Sequence, residues 1–357
     1  MEKIFFKKLD KSKIDSLLKA IKKIRIETKN HDRNIDKINF WNWQYKQLPS
    51  RKSLIYLALI KKKVIGYYHI PIYNFYIKKK LYKIGSIQSV AILKKYRKKN
   101  VFRNLSKFAN HDANKYLDLI YTFPNQKSIG TFLKYNKFNY ISTLPFYIYP
   151  IKSNNLINSK TNFFGFNLAG KLIDFSVKLF LKKLDKEEKI ILFDKFNKKI
   201  LDLFNKFNNK HSFYLKRDYS YLNWKYEKSP KSNYLIFGLK KNNKLEAVTI
   251  VKVEKIFKCY GIVVMDFAYS KISYMQKLLL NLNNSKIFET KKKISFILLT
   301  GITPDIEKFK TCGFLKVPKN LVPRNLNLLA KSKFKSINDS IKDKNSWLIT
   351  LSDWDVF

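Results

Sequence analysis

A segment near the start of the chain returns 181 residues later. Residues 40–58 read FWNWQYKQLPSRKSLIYLA and residues 221–239 read YLNWKYEKSPKSNYLIFGL. At that offset Asn42 meets Asn223, Trp43 meets Trp224, Tyr45 meets Tyr226, Pro49 meets Pro230 and Tyr56 meets Phe237. A Trp, a Tyr and a Pro agreeing at one spacing are improbable by chance. In a chain of 357 residues, a period of half the length means two similar domains rather than a solenoid of short units. Length alone also suggests two domains.

Each copy has the same local order. A helical stretch ends near Asn-Trp-x-Tyr, and a loop carries the Pro. Two apolar stretches follow, separated by a Lys-rich turn. Strands are expected at Leu54–Ile60 and Val64–Tyr76, and again at Tyr234–Leu239 and Glu246–Phe257. They are rich in Ile, Val, Tyr and Phe and read as antiparallel meanders. Before the first copy, Lys11–Lys29 carries Leu17, Leu18, Ile21 and Ile24 at helical spacing. After it come a strand at Ser86–Leu93, a helix at Val101–Leu117, a strand at Leu119–Phe123 and a helix at Ser128–Lys137. The expected fold class is α/β with mixed sheets, in two tandem domains at 1–150 and 206–357. A helical connector at 151–205 joins them. Within it, Phe163–Leu184 sets apolar residues on one face with lysines between them. That pattern suits a helix lying on a membrane surface, or a helix packed between domains, which is the favoured reading.

Composition bounds the partners. Hydrophobic residues make up 45% and aromatics 16%, enough for a packed core. Basic residues number 73 against 26 acidic, a net charge of +47. Such a surface attracts polyanions, but only seven of the basic residues are Arg. Readers of bases and phosphates favour the bidentate Arg fork. The excess of Lys, Ile, Asn, Phe and Tyr is what a codon-biased genome produces, so drift is the favoured origin of the charge. No specific nucleic acid is expected, and weak association with anionic membrane stays open. Cys259, Cys312 and the scattered His31, His69, His111 and His211 have no metal-ligand spacing, so no metal is expected. The N-terminal apolar patch is too short for a signal-peptide core, and no apolar run reaches the ~18 residues of a membrane span. The expected compartment is the cytoplasm.

The best candidate site is the strand, basic turn and helix start over 86–105. Helix N-termini leave N–H groups without partners and favour negative charge, and Lys94, Lys95, Arg97, Lys98 and Lys99 add charge beside them. A pyrophosphate fits such a place; a solvated basic loop is the blander alternative. Other candidates read as structural. Trp43 and Trp224 are expected in the core rather than stacked on sugars or bases. His69 is expected to be packed rather than a base. His111 and Asp112 are sequence neighbours and do not face one another on a helix. Asp353 and Asp355 flank Trp354 and are expected to pack rather than to bind an amine.

The run from Ala91 through Arg97 and Asn100 to Phe102 (AILKKYRKKNVF) resembles the acyl-CoA-binding motif of GNAT N-acetyltransferases. Phe123-Pro-Asn125-Gln-Lys-Ser128, with Phe132 and Phe138, is similar to that family's next segment. The paired Asn-Trp-x-Tyr segments, Lys310-Thr-Cys-Gly313-Phe314 and the terminal segment from Trp347 to Asp355 are similar to long tandem GNAT proteins of bacterial surface-polysaccharide synthesis. The resemblance spans nearly the whole chain.

It implies acetyl-CoA as cosubstrate and an amine acceptor, an amino sugar in surface-polysaccharide synthesis. The strand edge of Gln88, Val90, Ala91 and Leu93 would pair with the pantetheine amides. The backbone of Arg97, Lys98, Lys99, Asn100, Val101 and Phe102 would hold the pyrophosphate, with Asn125 and Ser128 near the pantetheine arm. The amine would attack the thioester directly, without a covalent enzyme intermediate. Two departures stand out. The loop glycines are Lys98 and Asn100 here, of which Asn tolerates left-handed backbone. Phe132 occupies the place where many members carry a Tyr general acid, with Tyr135 one turn away, so no catalytic residue is assigned. The second domain has no Arg-rich turn after Tyr260–Tyr269, so a single donor site is expected, in the N-terminal domain. The alternatives are a FemABX-like aminoacyl-tRNA-dependent transferase, and a non-catalytic GNAT-shaped protein on anionic membrane or glycan.

Overall fold

The computed structural model describes residues 3–10, 14–27, 38–154, 182–230, 233–256, 258–282, 285, 288, 294–322 and 324–354. The connector helix expected at 163–184 lies almost wholly outside them. Along the chain run β1 (Ile4–Lys8), α1 (Ile14–Glu27), α2 (Ile38–Tyr45), β2 (Ser53–Ile60), β3 (Lys63–Ile77) and β4 (Lys80–Ile92). A 3-10 turn at Lys94–Lys99 leads to α3 (Val101–Ala113), β5 (Leu119–Thr122), α4 (Gln126–Gly130), β6 (Asn139–Thr143) and β7 (Phe146–Pro150). Next come β8 (Glu188–Phe193), α5 (Lys198–Asn208), β9 (Phe213–Leu215), β10 (Leu235–Lys241), β11 (Lys244–Ile256), β12 (Cys259–Tyr269) and α6 (Ile272–Asn281). The last strands are β13 (Ile294–Ile302), β14 (Leu315–Lys316), β15 (Asn327–Ser332) and β16 (Trp347–Thr350).

These elements gather into two compact units, each drawing on both halves of the chain. The first comprises Met1–Thr143, Ser220–Ser232 and Leu326–Lys344; the second comprises Leu144–Tyr219, Asn233–Asn325 and Asn345–Phe357.

In the first unit, β1 to β4 form an antiparallel meander, and β5 lies parallel to β4. Helix α3 buries Val101, Leu105, Ala109 and Ala113, one residue per turn along a single stripe. Leu18, Ile21 and Ile24 of α1 enter the same core. The helix expected over 128–137 starts earlier and changes winding: α4 continues without a break into a π turn at Thr131–Tyr135, and the Asn136 N–H reaches back to Thr131 O at 3.2 Å. The repeat also becomes a contact inside this unit. Trp43 and Trp224 stack at 4.6 Å and 13°. Trp43 Nε1 donates to Trp224 O at 2.7 Å, and Trp224 Nε1 donates to Trp43 O at 3.1 Å. Both rings are core, as expected.

The second unit repeats the plan: β8, β10, β11 and β12 are antiparallel, with β13 parallel to β12. Helix α5 buries Ile200, Leu203, Phe204 and Phe207, and α6 buries Met275, Leu278 and Leu279.

The last strands of the two repeats trade units. In the first unit, β15 lies between β5 and β6. In the second, β7 lies between β13 and β14. Phe146 of β7 and Asn327 of β15 stand 181 residues apart, so these strands are the same element of the repeat. Each repeat gives its counterpart one central, doubly hydrogen-bonded strand.

Candidate functional site

Strands β4 and β5 pair in parallel from Ile84–Leu119 to Ile87–Thr122, where β5 ends. β4 continues through Gln88 to Ile92. Its other edge stays on β3, through a bulge: His69 opposes Gln88, Tyr67 opposes Ala91, and Ser89 takes φ 42. A bulge re-aims the strand it interrupts. Among the described residues, the strand partners of β4 are β3 and β5. Beyond Ile87, its backbone groups on the β5 side therefore face a gap rather than a ladder. Such an edge can pair with an extended ligand. Two side chains close the vertex: Thr122 Oγ1 donates to Ile87 O at 3.3 Å, and Gln88 Nε2 donates to Ser86 Oγ at 3.3 Å. Gln88, Ala91 and Leu93 are buried, and Val90 is half-buried.

The open strand runs into the basic turn. Lys94–Lys99 is wound as a 3-10 helix, with the Tyr96 N–H on Leu93 O at 2.9 Å. Its internal bonds occupy amides of the turn, so the accessible backbone donors lie later than an open bend starting at Arg97 would put them. Asn100 stops the winding at φ 56, ψ 14, a left-handed conformation that Asn tolerates better than most residues. Helix α3 begins there, and its first bond of α type runs from the Asn104 N–H to Asn100 O at 3.0 Å. The N–H groups of Val101, Phe102 and Arg103 have no helical acceptor. The Asn100 side chain makes no cap bond to them, and the first turn holds no acidic residue. This end carries the positive pole of the helix. Arg97 Nε donates to Ile92 O at 3.0 Å, tying the turn to the end of β4. The side chains of Lys98 and Lys99 lie outside the described residues.

Asn125 and Ser128 stand at the start of α4. Asn125 Oδ1 accepts from the Ser128 N–H at 3.0 Å and from Ser128 Oγ at 3.1 Å, a helix cap. Phe132 is buried edge-on against Phe102 at 5.9 Å and Phe138 at 5.4 Å. Tyr135 lies at the surface with the Arg103 guanidinium 4.7 Å above its ring.

The second unit has the same divergence with different contents. Strands β12 and β13 pair from Tyr260–Ile294 to Val263–Leu298 and then separate, and β12 carries a bulge near Met265. Here β16 enters. It pairs with β13 at Gly301 and Ile302, and the hydroxyls of Thr350 and Ser352 donate to Asp266 of β12, both at 3.1 Å. Arg217 locks the insertion from full burial: Nε donates to Asp266 Oδ2 at 2.7 Å, and Nη2 donates to Asp353 Oδ2 at 2.8 Å and to Thr350 Oγ1 at 3.0 Å. Burial raises the Asp353 pKa even though Arg217 opposes it. After β12 the chain passes through Ser270 and Lys271 straight into α6, with no basic turn. Sequence reasoning missed Arg217 and Asp266. The available signal was rarity: where Lys is the default cation, an Arg marks a site needing a planar fork.

Of the remaining candidates, His69, Asp112 and Asp353 have structural contacts. His69 is fully buried, its ring stacked on Tyr45 at 4.0 Å. Asp112 accepts from Tyr56 Oη at 2.9 Å and pairs with Lys8 at 3.2 Å, while His111 is exposed. Asp353 closes a capping box with Thr350, and Asp355 lies outside the described residues. Among the described residues, no group of His, Cys, Asp and Glu is placed to hold a metal, and no helix is long and apolar enough to cross a membrane.

No protein-family profile matches the chain, and no curated protein matches it by sequence. Solved structures do. A protein of Enterococcus faecalis V583, described as a probable N-acyltransferase, matches with TM-score 0.64 at 12% identity, over 92% of this chain and 73% of its own. A GCN5-related N-acetyltransferase of Anabaena variabilis matches with TM-score 0.61 at 10% identity, again over 92% and 73%. The N-myristoyltransferase of Saccharomyces cerevisiae, with bound myristoyl-CoA, matches with TM-score 0.55 at 12% identity, over 92% and 83%. The fold is that of the GCN5-related N-acetyltransferases.

Proposed function

We propose that the chain is an acyl-CoA-dependent N-acyltransferase of tandem form, with its donor site in the first unit. One observation carries this: the open edge of β4 leads, through the turn at Lys94–Asn100, to a helix N-terminus that the Asn100 side chain does not cap. The two features suit the two parts of a CoA thioester. Pantetheine amides are extended and take the place of β5 along Gln88–Leu93. The pyrophosphate accepts hydrogen bonds from the N–H groups of Val101, Phe102 and Arg103, with Asn100 holding the turn and Arg97, Lys98 and Lys99 supplying charge. Asn125 and Ser128 border the pantetheine arm by starting α4. The neighbours described as N-acyltransferases, one of them holding myristoyl-CoA, support the same reading.

In this mechanism an acceptor amine attacks the thioester carbonyl, the C–N bond forms, the C–S bond breaks and CoA leaves as thiol. The enzyme contributes positioning and charge stabilisation. Phe132 carries no ionisable proton, so the departing thiolate takes its proton from another group. Acetyl is the acyl group, and an amino sugar of surface-polysaccharide synthesis is the acceptor, on the strength of the sequence resemblance.

Isothermal titration with acetyl-CoA tests the site. One equivalent binds. Asn100→Gly keeps the left-handed turn and the affinity. Asn100→Val forces a β-branched residue into that conformation, at a cost of about 1–2 kcal/mol, and weakens binding roughly tenfold. No heat with any short acyl-CoA at millimolar concentration, or two equivalents per chain, rejects the proposal.

A further inference from the structure

The face of α3 beyond the proposed pyrophosphate position carries cations that the donor reading has not used. Arg103 and Lys107 are four residues apart and share a face, about 6 Å apart along the axis. Both converge on Tyr135: the Arg103 guanidinium lies 4.7 Å and the Lys107 ammonium 5.8 Å from the ring centroid. Lys134 brings a third cation to 5.7 Å of the same ring. Among the described residues, none of the three pairs with a carboxylate. Elsewhere in the first unit the half-buried Lys8 and the exposed Lys115 share Asp112, and Lys333 pairs with Asp118. Three like charges around one exposed ring repel one another, and the ring faces offset that only in part. The arrangement suits a doubly charged anion, and a phosphate monoester carries close to two negative charges at neutral pH.

We propose that Arg103 and Lys107 bind the 3′-phosphate of the donor's ribose, and that Tyr135 is a positioning residue holding them there. This rests on the donor reading. A diphosphate at the N–H groups of Val101–Arg103 leaves the adenosine end to run out along α3, and Lys107 lies one turn further on. Lys134 adds charge from the π turn. The site therefore distinguishes CoA esters from esters lacking the 3′-phosphate, and Tyr135 serves through its ring rather than its hydroxyl.

The test compares acetyl-CoA with 3′-dephospho-acetyl-CoA by titration on the full chain. Acetyl-CoA binds about tenfold tighter or better, as charge-assisted bonds to one phosphate allow. Arg103→Ala with Lys107→Ala brings the two esters to equal affinity. Tyr135→Ala reduces the ratio, and Tyr135→Phe leaves it intact. All three positions are at or near the surface, so the melting temperature without ligand stays the same and reports any folding loss. Equal affinities in the unmodified protein, or a ratio that survives the double substitution, overturn the subsite while leaving the donor groove standing. Absence of binding by either ester overturns both.

Discussion

Two parallel strand pairs part company in this molecule, and the chain treats the two partings differently. Where β4 leaves β5, the strand edge is left without a further partner strand and runs into a turn that ends at Asn100. Where β12 leaves β13, β16 fills the opening, and Arg217 fastens it to Asp266 and Asp353. Repeated architecture thus does not carry repeated chemistry. A parting strand pair leaves polar backbone that something must satisfy. In the second unit the protein satisfies it, and in the first we assign it to a ligand. The two arginines show the same contrast. Arg97 is exposed and makes one local bond to the end of its strand, whereas Arg217 is buried among carboxylates.

The largest test separates the repeats. Because β7 and β15 are exchanged as central strands, residues 1–150 made alone lack the strand between β5 and β6 and are expected not to fold. Circular dichroism of that fragment shows no cooperative melt; a sharp transition would mean that the exchange is dispensable. Next in size is Arg217→Met. It leaves Asp266 and Asp353 buried without their cation and costs about 3–5 kcal/mol by urea denaturation, while Arg97→Met costs about 1 kcal/mol or less. Equal losses would erase the distinction between the filled and open partings.

A smaller effect is expected at the indole pair. Trp43→Phe removes the donor to Trp224 O and leaves that carbonyl buried, for about 1–2 kcal/mol. A urea midpoint within error of the unmodified protein would reduce the reciprocal bonds to incidental contacts.

The smallest effect concerns Asp112, the solvated counterpart of the Arg217 network. Burial works against its charge, but the bonds from Tyr56 and Lys8 outweigh it and hold the carboxyl below its ordinary value. A folded-state value below the unfolded one, about 4, gives stability that is present above that pH and lost as pH falls through the folded value. The melting temperature of Asp112→Asn should therefore fall less than that of the unmodified protein on acidification from neutral pH to about 3. A parallel fall would show that the pair contributes nothing.

Much of this was legible in residues. Val101 and Leu105 announced a helix by spacing, and the Ile-, Val- and Tyr-rich runs announced the meanders. Asn100 stood out as a plausible holder of a left-handed turn, and it takes that conformation. Less legible was the winding of Lys94–Lys99, since six residues that include five lysines or arginines carry no periodicity to read. The π turn after α4 was equally silent, because one residue of extra winding leaves the apolar pattern of Phe132 and Phe138 nearly unchanged. The hairpins at Lys78–Lys79 and Asn242–Asn243 turn through similar left-handed angles. Only the Asn pair has the composition of a turn, because Asn favours that backbone and Lys does not.

By itself the sequence carried a segment repeated at 181 residues, two antiparallel meanders each followed by a helix, and a basic turn after one of them only. These are local matters, settled by periodicity, turn chemistry and repetition. Only the tertiary structure decided which strand lies beside which. The exchange of β7 with β15 and the pairing of β16 with β13 and β9 join residues far apart in the chain. Backbone hydrogen bonds join any two strands irrespective of side chain, so no residue in β7 or β16 announces its partner.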